Sequence, residues 1–180
     1  MPIYLIRHAT PDWNRKDIPY HLPPGPPLVE KGEAEAGELG RFLAEVGVGY
    51  LYYSPLERCQ RTAQIAGIIA GVVPIESPGL IEIQPGEKPE DVLKRVWPIW
   101  EAATMEAEAV ALVTHGGPIA ILLERLGMIS EALNHYKRTF DRNNPLPPAG
   151  AWSATRPTTE AAWELSLSFV PESYRQSLMV

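Results

Sequence analysis

The segment that decides the fold is residues 3–10, which read Ile3-Tyr4-Leu5-Ile6-Arg7-His8-Ala9-Thr10. Its first four residues are all apolar, which is typical of a strand buried on both faces of a parallel sheet. Arg7 and His8 follow at the point where such a strand ends. Residues 50–53 and 110–113 contain similar short apolar runs. We therefore predict three buried strands.

Helical periodicity separates these strands. Apolar residues recur three and four positions apart over residues 39–46, 56–66, 92–100 and 119–126. Gly47 and Gly71 are placed to end the first two helices, and Pro118 suits the first turn of the fourth. Pro98 is expected to kink or shorten the third helix, because proline lacks a backbone N–H group.

The order of these elements predicts the fold class. Strands alternating with helices indicate an α/β protein, here a three-layer α/β/α sandwich with a mostly parallel sheet. Residues 152–169 alternate apolar and polar side chains and predict a terminal hairpin. No linker composition interrupts the chain, so we expect residues 1–180 to form a single domain.

Composition excludes several classes of protein. With 180 residues, 45% of them hydrophobic, the chain is expected to be globular. Its net charge of −6 disfavours binding to nucleic acid or anionic lipid. The sequence has neither a run of about 18 apolar residues nor a secretory signal pattern, so a soluble, cytoplasmic protein without membrane contacts is expected. The single cysteine, Cys59, excludes an intrachain disulfide.

Histidines and arginines follow the predicted strands. Arg7 and His8 follow the first, Arg58 lies shortly after the second, and His115 follows the third. In open α/β sheets, ligands bind beyond the carboxyl ends of the strands. Arginine binds phosphate oxygens through two parallel hydrogen bonds. The turn at Gly116 also opens a helix, whose free N–H groups favour anions. These residues predict a phosphoryl site.

A neutral imidazole is a competent nucleophile toward phosphorus if one nitrogen is free and the other donates a hydrogen bond. The arginines would stabilise the phosphoryl oxygens during transfer. A partly buried carboxylic acid would protonate the leaving group, and Glu82 is the best-placed candidate. A metal held by His8, His115 and Glu82 is disfavoured, because the neighbouring arginines would repel a cation.

The sequence resembles the histidine phosphatase superfamily, which includes cofactor-dependent phosphoglycerate mutases. Residues 5–14 are similar to its opening Arg-His-Gly-x-Thr-x-x-Trp-Asn motif. Residues 28–36 resemble the start of its first helix, and residues 54–63 resemble its Ser-x-Leu-x-Arg-x-x-x-Thr segment. Residues 114–117 are similar to its second histidine motif. The resemblance extends from residue 3 to about residue 126.

This resemblance implies a phosphoglycerate mutase-like fold and a role for each matching residue. His8 is implied as the histidine that is transiently phosphorylated, and Glu82 as the proton donor. The remaining implied phosphate contacts are Arg7, Asn14, Arg58 and His115. The resemblance implies neither a metal nor another cofactor.

The sequence departs from the family pattern at two places. Ala9 replaces the usual glycine, which would cost about 1–2 kcal/mol if that position required a positive φ. Glu82 is followed by Ile-Gln-Pro-Gly, and the next helix is expected near Pro89. The cap over the site is therefore expected to be short or absent, which leaves Glu87 and Glu76 as alternative proton donors. The proline-rich loop of residues 18–27 could provide a substitute wall.

An uncapped site favours hydrolysis, because water can reach the phosphohistidine. The sequence therefore predicts a metal-independent phosphatase that acts on a small phosphorylated substrate through His8. Phosphoglycerate mutase-type transfer and a non-catalytic phosphate-binding module are the alternatives. The apolar strand near the C-terminus could pair two chains in a homodimer. We also expect a solvated face for the Glu-rich segment of residues 30–45 and an inert, buried thiol for Cys59.

Overall fold

The chain alternates strands and helices in the computed structural model, which describes residues 1–140 and 143–178. The strands are β1 (Ile3–Arg7), β2 (Val48–Tyr53), β3 (Pro74–Glu76), β4 (Ala109–Thr114), β5 (Ala151–Thr155) and β6 (Glu164–Phe169). The α-helices are α1 (Glu30–Glu45), α2 (Glu57–Ala70), α3 (Pro89–Thr104), α4 (Gly116–Arg125) and α5 (Ser130–Thr139). Short 3-10 helices cover Pro78–Leu80 and Glu172–Leu178.

The six strands form one mixed sheet in the order β3-β2-β4-β1-β5-β6. Strands β3, β2, β4 and β1 are parallel to one another, with Arg7 at the end of β1 opposite Thr114 at the end of β4. The predicted terminal hairpin is β5 and β6, which extends the sheet by antiparallel pairing beside β1. The mostly parallel α/β architecture is confirmed.

Alternate residues of β1 serve two separate cores. Ile3 and Leu5 pack with apolar residues of α3, α4 and α5 on one face of the sheet. Tyr4 and Ile6 pack with α1 and α2 on the other face. This alternation explains why the segment is apolar at every position, because both faces of a central strand are covered by helices. The result is the predicted three-layer sandwich.

Helix α3 differs from its prediction at Pro98, since it continues through this residue to Thr104. Pro98 is exposed, whereas Val92, Val96 and Trp100 are buried in the core on the other side of the helix. The backbone bond that proline removes therefore lies where water can replace it. Packing of the apolar stripe decides the length of the helix.

Other elements were incompletely predicted. Strand β3 and helix α5 were not predicted, because their apolar residues do not recur with a clear strand or helix periodicity. Strand β2 exists, but alternate tyrosines such as Tyr50 and Tyr52 are only partly buried, so its expected burial on both faces is wrong. Among the described residues, no helix combines the length and apolar character needed to cross a membrane.

The expectation of a solvated face for the whole Glu-rich segment is also wrong, because Glu35 is buried in α1. Its carboxylate accepts hydrogen bonds from the backbone N–H of Thr10 at 2.9 Å and from the Thr10 hydroxyl at 2.8 Å. A Cβ at Gly32, one turn earlier, would overlap the Thr10 backbone. Glu35 and Gly32 thus fasten the start of α1 beneath the segment that follows β1.

Replacing Glu35 with alanine should destabilise the protein by about 2–3 kcal/mol. A buried donor without a partner costs about 1–3 kcal/mol, and the vacated volume adds to that loss. Chemical denaturation measures the free energy of unfolding. Glu45→Ala, at the exposed end of the same helix, should remain close to the wild type. Equal stability of the two variants would contradict the anchoring role of Glu35.

Candidate active site

A cleft of about 600 Å³ opens at the carboxyl ends of β1 and β4. Arg7 and His8 line it from the end of β1, and Gly116 lines it from the first turn of α4. Glu82 forms part of its wall, and residues 12–26 contribute Trp13, Tyr20 and several neighbours. Four of the residues predicted from the sequence line this cleft: Arg7, His8, Glu82 and Gly116. Two more, Arg58 and His115, contact each other directly behind it, and His115 lies beside Glu82.

His8 is held in one orientation. Its backbone N–H donates to the Thr114 carbonyl at 3.0 Å, which ties the residue to β4. Its ring Nδ1 lies 2.8 Å from the Ala9 carbonyl oxygen. Because a carbonyl can only accept, Nδ1 carries the proton in the neutral ring and Nε2 carries the lone pair. Nε2 faces Tyr20, whose hydroxyl oxygen is 3.5 Å away.

His115 has the opposite tautomer. Arg58 Nη2 lies 3.2 Å from its Nδ1, and a guanidinium can only donate, so Nδ1 accepts. Its Nε2 then carries the proton and donates to the Ser54 hydroxyl at 2.8 Å. The His8 and His115 ring centroids are 5.2 Å apart. The two imidazoles thus face each other with Arg58 at one side.

Helix α2 explains the spacing of the Ser-x-Leu-x-Arg-x-x-x-Thr segment. Ser54 reaches His115 from the end of β2, and the buried Arg58 reaches the site from the first turn of α2. One turn later, the Thr62 hydroxyl donates to the Arg58 carbonyl at 2.6 Å and accepts from the Ala9 N–H at 3.0 Å. The helix therefore connects the arginine to the backbone beside His8.

Two arginines place positive charge in the buried site. Arg7 and Arg58 are both at most 1% exposed. Arg7 Nη1 donates to the Leu146 carbonyl at 3.1 Å, and Arg58 Nη1 donates to the Tyr20 carbonyl at 2.9 Å. Arg58 Nε has no hydrogen-bond partner among the described residues. A site with this charge and spare donor capacity is suited to an anion.

Burial and positive charge keep both imidazoles neutral. Desolvation, followed by the charges of Arg58 and Arg7, places the pKa of His8 well below its usual value. Desolvation and Arg58 have the same effect on the pKa of His115. A neutral His8 at working pH has the free lone pair that a nucleophile needs.

Glu82 is the carboxyl group that faces the two histidines. Its Oε2 lies 3.7 Å from His115 Nδ1, while Oε1 accepts from the Ile83 N–H at 2.9 Å. Burial raises the pKa of Glu82, which is the direction a general acid requires. Glu87 is paired with Arg95 at 2.7 Å, which lowers the pKa of Glu87.

The other acidic alternative, Glu76, is exposed on β3. Glu87 is therefore committed to an ion pair, and Glu76 lies on an edge strand. Neither residue lines the cleft. Of the three acidic candidates from the sequence, the geometry favours Glu82.

Two expectations for the segment after β1 have different outcomes. Asn14 is exposed and lies outside the lining of the cleft, so its phosphate contact stays a prediction. Ala9 is buried, and it is not among the non-glycine residues with positive φ in the described part of the chain, which are Asn143 and Ala149. Alanine therefore causes no left-handed strain after His8, and the expected cost does not arise.

Several residues around the site could not be identified from sequence motifs. Tyr20 lies beside His8 and Arg58, although the loop that carries it has no periodic pattern. Asn144 lines the cleft close to Gly116, where a Cβ would overlap the asparagine side chain. The one sequence signal for this wall is the high proline content of residues 18–27, and Ile18, Pro19 and Pro26 of this loop do line the cleft.

Cys59 is buried against His115, with its Sγ 3.4 Å from Nε2. Its thiol donates to the Thr114 carbonyl at 3.5 Å. Burial raises the pKa of this thiol to about 12, so it remains protonated near neutral pH. This environment fits the inert thiol expected from the sequence.

The two neutral histidines should make stability fall at acidic pH. In the unfolded chain, histidine titrates near its ordinary pKa of 6.5, whereas His8 and His115 resist protonation when folded. The unfolded state therefore binds more protons below about pH 6.5, and each histidine removes roughly 1 kcal/mol of stability per pH unit in that window. Denaturant titrations between pH 7.5 and pH 5 measure this slope.

The His8→Asn variant isolates one of these contributions. Its slope of stability against pH should be clearly shallower than that of the wild type, whatever its absolute stability. Burial also raises the pKa values of Glu35 and Glu82, which opposes the histidine effect, but this contribution is common to both proteins. Cys59→Ala is the control, because its thiol does not titrate in this range. Identical slopes for His8→Asn and the wild type would rule out a buried neutral His8.

Known proteins share this sequence pattern and fold. The family model for the histidine phosphatase superfamily (branch 1) matches residues 3–86 and 83–139. A 2,3-bisphosphoglycerate-dependent phosphoglycerate mutase of Bartonella tribocorum is 44% identical over 64 residues, which are 34% of this chain and 31% of the relative. A probable phosphoglycerate mutase of Erwinia tasmaniensis is 25% identical over 136 residues, which are 73% of this chain and 62% of the relative. The chain thus spans less than two thirds of these curated relatives.

A solved structure has the same fold over nearly the whole chain. It is a mycobacterial glucosyl-3-phosphoglycerate phosphatase, with a TM-score of 0.74 and 19% identity, and the alignment covers 92% of this chain and 97% of that one. At this identity the likeness establishes the fold alone. The family model covers well over half of the sequence. The chain therefore belongs to branch 1 of the histidine phosphatase superfamily.

Proposed function

We propose that this protein hydrolyses phosphate monoesters through a phosphohistidine intermediate on His8. The orientation of His8 is the observation that carries the proposal. Its Nδ1 is fixed on the Ala9 carbonyl at 2.8 Å, so the lone pair of Nε2 is directed into a cleft lined by Arg7 and Glu82. A fixed, neutral imidazole beside buried guanidinium groups is suited to attack on phosphorus.

In the first step, His8 Nε2 forms a bond to phosphorus as the ester P–O bond breaks. Arg7 and Arg58 stabilise the charge on the phosphoryl oxygens. His115 assists them, which is supported by its contact with Arg58 and by the 5.2 Å between its ring centroid and that of His8. The leaving oxygen takes a proton from the Glu82 carboxyl group, whose raised pKa keeps it protonated more readily than an exposed acid. The alcohol then leaves the cleft.

In the second step, water attacks the phosphohistidine. The water oxygen forms a bond to phosphorus as the P–N bond to His8 breaks, and the Glu82 carboxylate takes one proton from this water molecule. Inorganic phosphate leaves, and both His8 and Glu82 return to their starting states. One carboxyl group thus serves as acid and then as base.

The segment after Glu82 supports hydrolysis over transfer between two hydroxyl groups. Helix α3 begins at Pro89, so only a short loop follows the candidate acid. A mutase must retain its substrate while the substrate reorients, whereas water needs free access. The curated relatives are named as phosphoglycerate mutases, which makes mutase-type transfer the alternative for a direct assay.

Purified protein should release phosphate from p-nitrophenyl phosphate in the presence of a chelator. His8→Ala should lower kcat/KM by at least about 10³-fold, because the nucleophile is lost. It should also lose the acid-labile phosphoryl label that rapid quenching traps on the wild type. The control is His135→Ala, an exposed histidine of α5 far along the chain from the motifs.

Three results, from this assay, from phosphate binding and from a phosphoglycerate assay, would contradict the proposal. Unchanged activity of His8→Ala would exclude this nucleophile. Phosphate binding by the wild type without any turnover would favour a non-catalytic module. Interconversion of 2- and 3-phosphoglycerate faster than their hydrolysis would favour the mutase.

Glu82→Gln should slow substrates according to their leaving group. For an alkyl phosphate such as glycerol phosphate, kcat/KM should fall about 10²–10⁴-fold, because the alkoxide needs a proton. For p-nitrophenyl phosphate, whose leaving group is stable as an anion, the fall should be much smaller. In the wild type, alkyl phosphate turnover should also decline as rising pH deprotonates Glu82, and this decline should be absent in the variant.

Glu87→Gln is the matched control, because Glu87 pairs with Arg95 outside the cleft lining. It should alter the two substrates by the same factor, since the loss of an ion pair has no dependence on the leaving group. Equal effects of Glu82→Gln on the alkyl and aryl substrates would assign the proton transfer to another residue.

A further inference from the structure

Tyr20 brings a hydroxyl group to the centre of the site from a loop outside every motif of the family resemblance. Its Oη lies 3.5 Å from His8 Nε2, the nitrogen that the proposed function uses as nucleophile. The residue lines the cleft together with Arg7, His8 and Glu82. A group at this place meets any substrate that approaches the nucleophile.

The position of Tyr20 is fixed on two sides. Its ring lies against the Arg58 guanidinium, with Cζ 3.9 Å from the ring centroid, and its carbonyl accepts from Arg58 Nη1 at 2.9 Å. The ring also stacks on Trp13, with centroids 5.6 Å apart and planes inclined by 21°. A side chain held between an arginine and an indole has little freedom to leave the cleft.

Neighbouring loops hold the backbone around Tyr20. The His21 carbonyl accepts from Gln84 Nε2 at 2.9 Å, which connects this loop to the segment that carries Glu82. The Pro24 carbonyl accepts from the Glu57 N–H at 2.7 Å, at the start of α2. The loop that carries Tyr20 is therefore attached both to the candidate acid segment and to the helix of Arg58.

The Tyr20 hydroxyl can only be a neutral donor toward His8. Burial raises its pKa to about 12, so it keeps its proton and adds no negative charge to a site for anions. His8 Nε2 is an acceptor, because Nδ1 carries the ring proton. At 3.5 Å this bond is at the long limit for hydrogen bonds and is correspondingly weak.

We propose that Tyr20 is a phosphoryl-binding residue that transfers its hydrogen bond from His8 Nε2 to a phosphoryl oxygen when substrate enters. A phosphorus atom attacked by Nε2 must approach the lone pair that the hydroxyl now contacts. Its oxygens then lie within reach of a hydroxyl held at this distance. The hydroxyl exchanges a long bond to an uncharged nitrogen for a bond to a charged oxygen, which is the stronger kind.

This inference uses the site of the proposed function but has its own readout, the binding of inorganic phosphate. Tyr20→Phe removes only the hydroxyl and retains the ring between Arg58 and Trp13. The dissociation constant for phosphate, measured by calorimetry, should rise about ten- to a hundredfold. The value of kcat/KM for p-nitrophenyl phosphate should fall by a similar factor. Tyr136→Phe, whose ring packs on Trp152, should leave both unchanged.

The outcomes separate the two proposals. If Tyr20→Phe binds phosphate as tightly as the wild type, or more tightly, the hydroxyl is a bystander or an obstacle and the inference is overturned. That result leaves the His8 mechanism intact if turnover persists. If the wild type binds phosphate in a Tyr20-dependent way without turning over any ester, the inference stands and the proposed function fails. Circular dichroism of Tyr20→Phe confirms that a loss of binding does not reflect unfolding.

Discussion

The burial of two arginines beside two histidines is the constraint on which the site depends. Burial and the positive charges of Arg58 and Arg7 lower the pKa of His8 and of His115, because a protonated ring here would be desolvated and would face a like charge. Neutral rings need fixed tautomers, and the structure provides one acceptor for each: the Ala9 carbonyl for His8 and the Ser54 hydroxyl for His115. The charge of the arginines therefore requires neutral imidazoles, and the acceptors that fix their tautomers also fix their orientation.

Much of this arrangement could be predicted because it depends on short-range geometry. Apolar runs identify strands, parallel strands end at one edge, and the residues that follow them meet there. The four-residue interval from Arg58 to Thr62 is one helical turn, so a single helix both presents the guanidinium and binds the Ala9 backbone. Local periodicity therefore predicted β1, β2, β4, the terminal hairpin and four of the five α-helices in the described part of the chain. The rule that parallel strands end at one edge predicted the convergence of Arg7, His8, Arg58 and His115.

The features that the sequence did not predict depend on contacts between distant segments. Glu35 lies in a segment whose sequence resembles an exposed helix, and its burial follows from hydrogen bonds that the distant backbone N–H and hydroxyl of Thr10 donate to it. Tyr20 lies in a loop without periodicity, and its position follows from Arg58 and Trp13. Pro98 is tolerated in α3 because its side of the helix is exposed, which no rule about proline alone can reveal.

Glu35 and Glu82 show why a raised pKa does not by itself identify a catalytic acid. Burial raises the pKa of both carboxyl groups. Both oxygens of Glu35 are occupied by donors from Thr10 and approached by Lys31, so its environment is complete without a ligand. Glu82 uses one oxygen for the Ile83 N–H and turns the other toward His115 across 3.7 Å. Glu82 is therefore a buried acid that lines the cleft and keeps one oxygen directed toward the site, which is the placement that the proposed function requires of a proton donor.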